Sequence, residues 1–246
     1  MSPVITFENV SKHYRLPYAL NGGLRNILFH LPTTWKTLNT HRFTALDNIS
    51  FAIEEGESVG IIGRNGSGKS TMLGLIAGVF PPSSGRIEVK ERVSPMLELG
   101  GGFHPDLTGR ENIILNGVLL GMTRKHIKSR LDEIIEFSEL GEFIDQPIRT
   151  YSSGMLSRLG FSVITQLDPR LLLIDEVLAV GDERFRRKCY NVIHDFKRNG
   201  VTILFVSHSA DEVSNLCERA IWIENHRIAM DGKADSVLEA YTQNHG

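Results

Sequence analysis

The chain has 246 residues, of which 41% are hydrophobic and 23% are charged, and its formal net charge is -2. This length allows one large domain that buries roughly 70% of its unfolded surface, and the composition is typical of a folded protein. The nearly balanced charge argues against a broad basic surface, so we expect no nucleic-acid partner. Residues 1–9 lack the pattern of a signal peptide, and no apolar run approaches the roughly 18 residues of a membrane span. We therefore expect a protein that is neither secreted nor membrane-spanning.

Apolar patterning along the chain predicts an α/β protein. Short runs of β-branched and apolar residues predict strands over residues 4–7, 49–53, 58–62, 171–174 and 201–206. Helical spacing predicts helices over residues 71–79, 110–121, 123–140, 153–166 and 234–241. The alternation of helix and strand in the second half is typical of a parallel sheet.

A longer segment, residues 15–43, lies between the first two predicted strands and contains one short amphipathic helix by its pattern. Its apolar residues fall at i, i+3, i+4 and i+7, at Leu24, Ile27, Leu28 and Leu31. Trp35 follows, and an apolar helix face near a tryptophan is typical of a surface that meets a membrane or a membrane protein. A helix packed only on its own domain explains the spacing equally well, so both alternatives stay open.

The most specific motif is a glycine-rich loop, GRNGSGKS, at residues 63–70 between a predicted strand and a predicted helix. Glycines let backbone N–H groups approach phosphate oxygens, because no Cβ atom stands in the way. The lysine adds charge for the β and γ phosphates, the serine can ligate Mg²⁺, and the helix directs its positive dipole end at the nucleotide. The candidate nucleotide-binding residues are Gly63, Asn65, Gly66, Ser67, Gly68, Lys69, Ser70 and Thr71.

Two carboxylates follow the later apolar strand LLLI. Because α/β sheets bind ligands at the carboxyl ends of their strands, Asp175 is predicted to hold Mg²⁺ together with Ser70. Glu176 is placed to polarise a water for attack on the γ phosphate of ATP. Alone, an Asp-Glu pair is more often a solvated strand end, but beside a phosphate loop it predicts ATP hydrolysis.

In order and spacing, these motifs resemble those of the ABC-type ATPases. The sequence YSSGM at residues 151–155 stands where that family has its signature LSGGQ, AVGD at 179–182 stands at its D-loop, and His208 stands at its switch histidine. The resemblance covers nearly the whole chain. It implies an α/β P-loop NTPase as a single domain over residues 1–246, with a RecA-like core, an antiparallel β subdomain and a helical subdomain at about residues 100–165.

The resemblance also implies roles for individual residues. Ser152, Ser153 and Gly154 would contact the γ phosphate bound to a second copy, so that a homodimer encloses two ATP molecules. His208 would contact the γ phosphate and act in catalysis together with Glu176. Taken alone, a Ser-Ser-Gly turn is more often a plain helix N-cap, and a histidine at a strand end is more often structural.

Two further positions are ambiguous. The resemblance implies that Tyr14 stacks on adenine, a role that any flat ring can perform, and Tyr18 lies nearby. The region of the family's Q-loop contains no glutamine, where Glu98 is the nearest polar substitute and an ungapped count lands on Leu99.

A longer set of motifs is similar to the ATP-binding subunits that export bacterial surface polysaccharides. It comprises the stretch LELGGGFHPDLTGREN at residues 97–112, the YSSGM turn and VGDERF at 180–185, and the insertion over 15–43 favours the O-antigen branch. This resemblance implies an ATPase at the cytoplasmic face of the bacterial inner membrane, bound to two copies of a polytopic permease that moves a lipid-linked polysaccharide. It also leads us to expect that the C-terminal glycan-binding domain of some relatives is missing.

Three alternatives stay open. Capsule and teichoic-acid exporters share the same motifs, so their glycans stay open as alternative cargo. A soluble ABC-type ATPase of DNA repair or translation is disfavoured, because such proteins usually carry long coiled-coil insertions or two fused ATPase halves. An importer ATPase is disfavoured by the missing Q-loop glutamine.

Overall fold

The computed structural model describes residues 3–15, 42–96, 100–175 and 182–245. The strands in these ranges are β1 (Ile5–Arg15), β2 (Arg42–Ile53), β3 (Ser58–Ile62), β4 (Ser84–Val89), β5 (Val93–Met96), β6 (Leu171–Asp175), β7 (Thr202–Val206), β8 (Arg219–Glu224) and β9 (Arg227–Lys233). The helices are α1 (Lys69–Ile76), α2 (Gly109–Leu119), α3 (Arg124–Ser129), α4 (Leu131–Ser138), α5 (Ser153–Ile164), α6 (Glu183–Arg198), α7 (Ala210–Leu216) and α8 (Ala234–His245). Within these ranges no helix combines the length and the apolar composition that crossing a membrane requires.

The larger sheet has the strand order β5-β6-β7-β3-β8-β9, in which only β9 runs antiparallel to its neighbour. Strands β3 and β7 are buried along their whole length, and β6 is buried up to its last residue. Parallel strands that are covered on both faces need apolar side chains throughout, which explains the runs LLLI and TILFV. Because β6, β7 and β3 are neighbours, the segments that follow them meet at one edge of the sheet.

The smaller sheet is antiparallel and has the order β2-β1-β4. The rings of Phe7 and Phe51 stack within it, with their centroids 4.6 Å apart. These two residues belong to the same buried cluster as Ile61 of β3 and Leu73 of α1. The small sheet, helix α1 and one face of the larger sheet therefore share a single core, which fixes the position of the loop between β3 and α1.

Helices α2 to α5 surround a separate apolar cluster that includes Ile113 and Leu159. Helix α2 begins with a capping box, in which the Thr108 hydroxyl accepts from the Glu111 N–H and the Glu111 carboxylate accepts from the Thr108 N–H. This reciprocal pair stabilises the start of the helix that leads away from the larger sheet.

The predicted fold class is confirmed: a mainly parallel core, an antiparallel sheet and a helical region are all present. The predicted single helix over 123–140 is wrong, because Arg130 leaves the helical conformation at φ -111° and ψ 5° and separates α3 from α4. The strand predicted over 4–7 is longer and ends at Arg15, and the strand predicted over 49–53 begins earlier, at Arg42. Both are longer because β1 and β2 pair along their length. The amphipathic pattern at 24–31, together with Tyr18 and Trp35, lies outside the described residues.

Candidate nucleotide-binding site

The glycine-rich loop connects β3 to α1 at the carboxyl edge of the larger sheet. Helix α1 begins at Lys69, and among the described residues no side chain caps it and no acidic residue stands in its first turn. The first N–H groups of a helix and its dipole together attract anions. The start of α1 thus has the chemistry of a phosphate-binding site.

Two glycines of the loop stand where no other residue fits. A Cβ atom on Gly63 would lie 2.4 Å from the carbonyl oxygen of Ile223 in β8. Gly68 has a φ of +113°, and a Cβ there would lie 2.4 Å from the carbonyl oxygen of Ala45. The loop is therefore held closely between the two sheets, which fixes its curvature before any ligand binds.

Lys69 and Ser67 are both buried beside this loop, with 6% and 8% of their surface exposed. The Lys69 ammonium donates to the carbonyl oxygens of Gly63 at 2.7 Å and Arg64 at 3.2 Å, which holds its charge inside the curve of the loop. The Ser67 hydroxyl oxygen has no hydrogen-bond partner among the described residues. Leaving a buried hydroxyl unpaired costs about 1–3 kcal/mol, and a phosphate oxygen in the loop would supply the missing partner. These side chains therefore fit a nucleotide phosphate.

A cavity of about 330 Å³ lies over the loop. Its lining residues are Phe43, Ala45, Asn65, Gly66, Gly68, Lys69, Ser70, Thr71 and Asp175. Residues from four separate chain positions thus meet around one space: the start of β2, the loop, the first turn of α1 and the end of β6. Gly63 and Ser67 belong to the same loop but do not line the cavity.

The two predicted metal residues, Ser70 and Asp175, are brought to this same cavity. A hydroxyl and a carboxylate are oxygen donors of the kind that Mg²⁺ prefers. The described part of the chain contains no group of three or more His, Cys, Asp or Glu side chains that could hold a metal ion. A magnesium ion here would therefore need further oxygen donors from phosphate and water, which is how Mg²⁺ usually binds in nucleotide sites.

Among the described residues, the aromatic side chain that lines the cavity is Phe43 and not Tyr14. Phe43 is 44% exposed, and its ring meets that of His226 edge-on at 5.7 Å. Tyr14, its cross-strand partner, packs edge-on against Phe80 at 6.0 Å and does not line the cavity. Phe43 was not among the predicted nucleotide-binding residues, because the pairing of these two aromatic residues depends on the register of β1 on β2.

This geometry predicts that Phe43→Ala weakens nucleotide binding more than Tyr14→Ala. Loss of a stacked ring costs about 1–3 kcal/mol per base, which corresponds to a fivefold to hundredfold rise in Kd. Titration of both variants with ATP and GTP is the measurement, and both nucleotides should lose affinity alike because stacking does not read the base. Phe43→Tyr keeps the ring and serves as the control. A larger loss in Tyr14→Ala would instead support the role that the family resemblance gives Tyr14.

His208 follows β7, which lies between β6 and β3 in the sheet. The turn that carries it is fixed by the buried Ser207, whose hydroxyl donates to Glu212 at 2.7 Å and accepts from the Ser209 N–H at 3.0 Å. His208 itself is exposed and does not line the cavity. It therefore stands at the same sheet edge as Asp175 without touching the space over the loop.

The signature-like turn lies away from the cavity of its own chain. The Ser152 hydroxyl accepts from the Met155 N–H at 3.2 Å and caps α5, and Ser152 and Ser153 are both exposed, with Gly154 half-buried. The structure thus joins the phosphate loop to Asp175 but not to this turn. Glu176, Glu98 and residues 179–181 lie outside the described residues.

Comparison with known sequences places this site in a family context. Residues 46–179 match the family described as ABC transporter. The O-antigen export system ATP-binding protein RfbB of Klebsiella pneumoniae is 55% identical over 243 residues, which cover 99% of this chain and 99% of that protein. The teichoic acids export ATP-binding protein TagH of Listeria innocua is 42% identical over 239 residues, which cover 97% of this chain and 70% of TagH.

Solved structures give the same fold. The dimeric structure of MJ0796, a bacterial ABC transporter cassette, aligns with a TM-score of 0.72 at 22% identity and covers 94% of this chain and 98% of that one. The structure of an ATP binding subunit of an ABC transporter aligns with a TM-score of 0.74 at 19% identity and covers 99% of this chain and 95% of that one. At such identities the likeness concerns the fold alone, and it agrees with the two sheets and the helical region described above.

Proposed function

The chain belongs to the ABC transporter family, and on that premise we propose that it is the ATP-hydrolysing subunit of an exporter for lipid-linked polysaccharide of the O-antigen type. The observation that carries the choice of cargo is the 55% identity to an O-antigen export ATP-binding protein across 99% of both chains. The relative named for teichoic acid export is 42% identical and is covered over only 70% of its length, which makes that cargo the second candidate.

ATP is the nucleotide of this family, and each part of the cavity has a task in holding it. Lys69 and the N–H groups at the start of α1 bind the β and γ phosphates, and the buried Ser67 hydroxyl donates to a phosphate oxygen. Ser70 and Asp175 would hold Mg²⁺, which when bound neutralises charge on the phosphates. Glu176, which follows Asp175 directly, would orient the attacking water and accept its proton.

A second copy of the chain would complete each site. The exposed hydroxyls at the start of the 12-residue helix α5 can donate to a γ phosphate, and they lie apart from the cavity of their own chain. We therefore assign Ser152, Ser153 and Gly154 to the partner's nucleotide in a symmetric homodimer. His208 would contact the γ phosphate from the same side as Asp175. Each γ phosphate would then be held by both subunits, so that closure of the dimer and hydrolysis depend on one another.

The permease would dock on an apolar groove between α1, β5 and α2. The groove encloses about 520 Å³, includes Val79, Met96 and Leu120 in its lining, and shares Ser70 and Asp175 with the nucleotide cavity. In its lining Val79 is 69% exposed, and Val118 and Leu119, which directly precede the lining residue Leu120, are 47% and 62% exposed. A cluster of exposed apolar side chains beside a groove is typical of a protein interface. With two permease copies on the two subunits, this surface would hold the dimer at the cytoplasmic face of the inner membrane.

We expect Leu119→Glu to weaken capture of the permease about thirtyfold, the effect of removing a central apolar contact and burying a charge in its place. The isolated subunit should keep its ATPase activity, because Leu119 is not in the nucleotide cavity. Phe143→Glu is the matched control, since Phe143 is 57% exposed and lies in the segment Gly141–Asp145, whereas Leu119 directly precedes Leu120 of the groove lining. Equal losses in the two variants would contradict this docking surface.

The proposed function is tested by co-purifying the chain from membranes with the permease encoded beside it, and by measuring ATP hydrolysis with and without that permease. Binding and stimulation of hydrolysis are the expected results. A protein that stays in the soluble fraction and responds to DNA or ribosomes instead would refute the exporter proposal. The glycan that disappears from the cell surface when the gene is inactivated distinguishes O-antigen from capsule or teichoic acid.

A further inference from the structure

Three helices meet at one arginine on the helix that carries the signature-like turn. Arg158 lies six residues after Ser152, about 9 Å along α5. Its two terminal nitrogens bind two different carboxylates, Asp182 at 2.6 Å and Glu139 at 3.3 Å. Asp182 stands at the start of α6, and Glu139 is the residue that ends α4. One guanidinium thus connects α4, α5 and α6.

Asp182 uses its two carboxylate oxygens for two tasks. Its Oδ1 accepts from the Phe185 N–H at 2.9 Å and caps α6, whereas its Oδ2 accepts from Arg158. The Arg158 guanidinium also lies over the ring of Phe185, 4.9 Å from the centroid, and that ring is fully buried. The first turn of α6 is therefore fixed to α5 by a charged contact and by a packed one.

Glu139 is held in place from α6 as well. Its carboxylate accepts from Lys188 at 3.0 Å, and this ammonium is the main reason why the pKa of Glu139 is lowered. Glu139 has a φ of +56°, a left-handed conformation that a residue other than glycine rarely adopts without support from its surroundings. In this conformation the Glu139 carboxylate lies between Arg158 and Lys188 and accepts a hydrogen bond from each.

This arrangement differs from the ion pairs that lie within α6. The pairs Arg186–Glu183 and Arg198–Asp195 each join residues three apart on that helix and are largely exposed, so they fix no relation between elements. The Arg158 side chain is only 19% exposed and bridges residues 19 and 24 positions away. Such a bridge restricts how α5 can move against α6.

We infer that Arg158 is a positioning residue for ATP hydrolysis, which keeps the turn at Ser152, Ser153 and Gly154 in a fixed relation to Asp182. The inference rests on the proposed function, in which that turn reaches the partner's ATP, and Asp182 stands seven residues after Asp175 of the chain's own nucleotide cavity. A fixed spacing between the two matters, because small displacements of catalytic groups lower the rate strongly. Arg158 sets that spacing without touching the nucleotide of its own chain.

The test compares steady-state ATP hydrolysis by the full-length wild type, Arg158→Met, Asp182→Asn and the double variant. Asparagine still caps a helix, so Asp182→Asn removes the ion pair and keeps the start of α6. We expect each single variant to lower kcat about tenfold or more while KM for ATP stays within about twofold. The double variant should be no slower than the slower single variant, because both changes remove one interaction. Arg158→Lys should recover part of kcat, since one ammonium keeps the charge but cannot bind both carboxylates in the same way.

The control is Arg186→Met, which removes an exposed pair on α6 and should leave kcat unchanged. The inference is overturned if losses in the double variant multiply, if KM rises while kcat is kept, or if Arg158→Met matches Arg186→Met. If Arg158→Met does not fold, as judged by its thermal melt, Asp182→Asn decides alone, and an unchanged kcat there overturns the inference. A wild type that hydrolyses no ATP would instead refute the proposed function on which the inference rests.

Discussion

Replacing Lys69 by methionine is expected to lower ATP turnover roughly a hundredfold to a thousandfold, the effect of removing one preorganised donor from a charged transition state. Methionine fills a similar volume but carries no charge, and it leaves the carbonyl oxygens of Gly63 and Arg64 without the donor they have now. Nucleotide affinity should fall as well, because the Lys69 ammonium lies in the curve of the loop that would hold the phosphates. Phosphate release and nucleotide titration measure the two effects separately.

Lys197→Met is the matched control for this variant. Lys197 also donates to a backbone carbonyl, that of Leu216 at 2.8 Å, and it lies on α6 away from the nucleotide cavity. Its loss should change the thermal melt slightly and the turnover not at all. If both lysine variants lose turnover to the same degree, the effect is one of folding and the role of Lys69 in the site is contradicted.

The second large effect is expected for Glu176→Gln. A general base contributes roughly a hundredfold to ten-thousandfold to a rate, so the turnover of this variant should fall by at least a hundredfold while ATP still binds. With binding intact and hydrolysis blocked, the closed dimer should accumulate. Size-exclusion chromatography with ATP and Mg²⁺ should show a dimer for the variant and a monomer for the wild type after turnover.

Glu183→Gln provides the comparison, because Glu183 is an exposed carboxylate seven residues further along, whose ion pairs within the described ranges are with arginines of its own helix. Unchanged steady-state turnover in Glu176→Gln would refute the assigned base. A lost turnover without dimer accumulation would point instead to a defect in nucleotide binding.

The phosphate loop and Asp175 were predictable because their signals are local. A strand of apolar residues, a loop with fixed glycine spacing and a helix start follow one another without a gap, so the sequence around residues 63–70 carries its own structural context. Asp175 ends an apolar strand, and strand ends in parallel sheets collect at one edge. Both inferences need only neighbours along the chain and the general rule for parallel sheets.

Contacts between residues that are far apart in the sequence were not predictable in the same way. The pair of Tyr14 with Phe43 depends on the register of two strands, and that register shifts at several places along β1 and β2. The bridge from Arg158 to Asp182 depends on how α5 packs on α6, which hydrophobic spacing does not report. Nothing in the local pattern at Arg130 marks a helix break, because arginine is a good helix former.

Strands at sheet edges were missed for a related reason. Strands β4 and β9 are largely exposed, and β5 has four residues and contains Pro95, so none of them shows a long apolar run. Edge strands bury one side at most, and proline is tolerated there because one row of backbone groups needs no partner. Their identity comes from pairing, and the pattern of a single sequence does not contain it.

The hairpin formed by β1 and β2 has a consequence for how this chain can diversify. Its last pair, Arg15 with Arg42, holds the two ends of residues 16–41 side by side, about 5 Å apart. Additional residues between two strand ends that are already paired add little entropic cost of loop closure, since that cost grows only with the logarithm of loop length. We therefore expect that the segment can be lengthened, shortened or exchanged while Phe43, one residue inside the hairpin, keeps its place at the cavity. Changes in the length of this segment and the geometry of the nucleotide cavity are therefore separable at a single pair of residues.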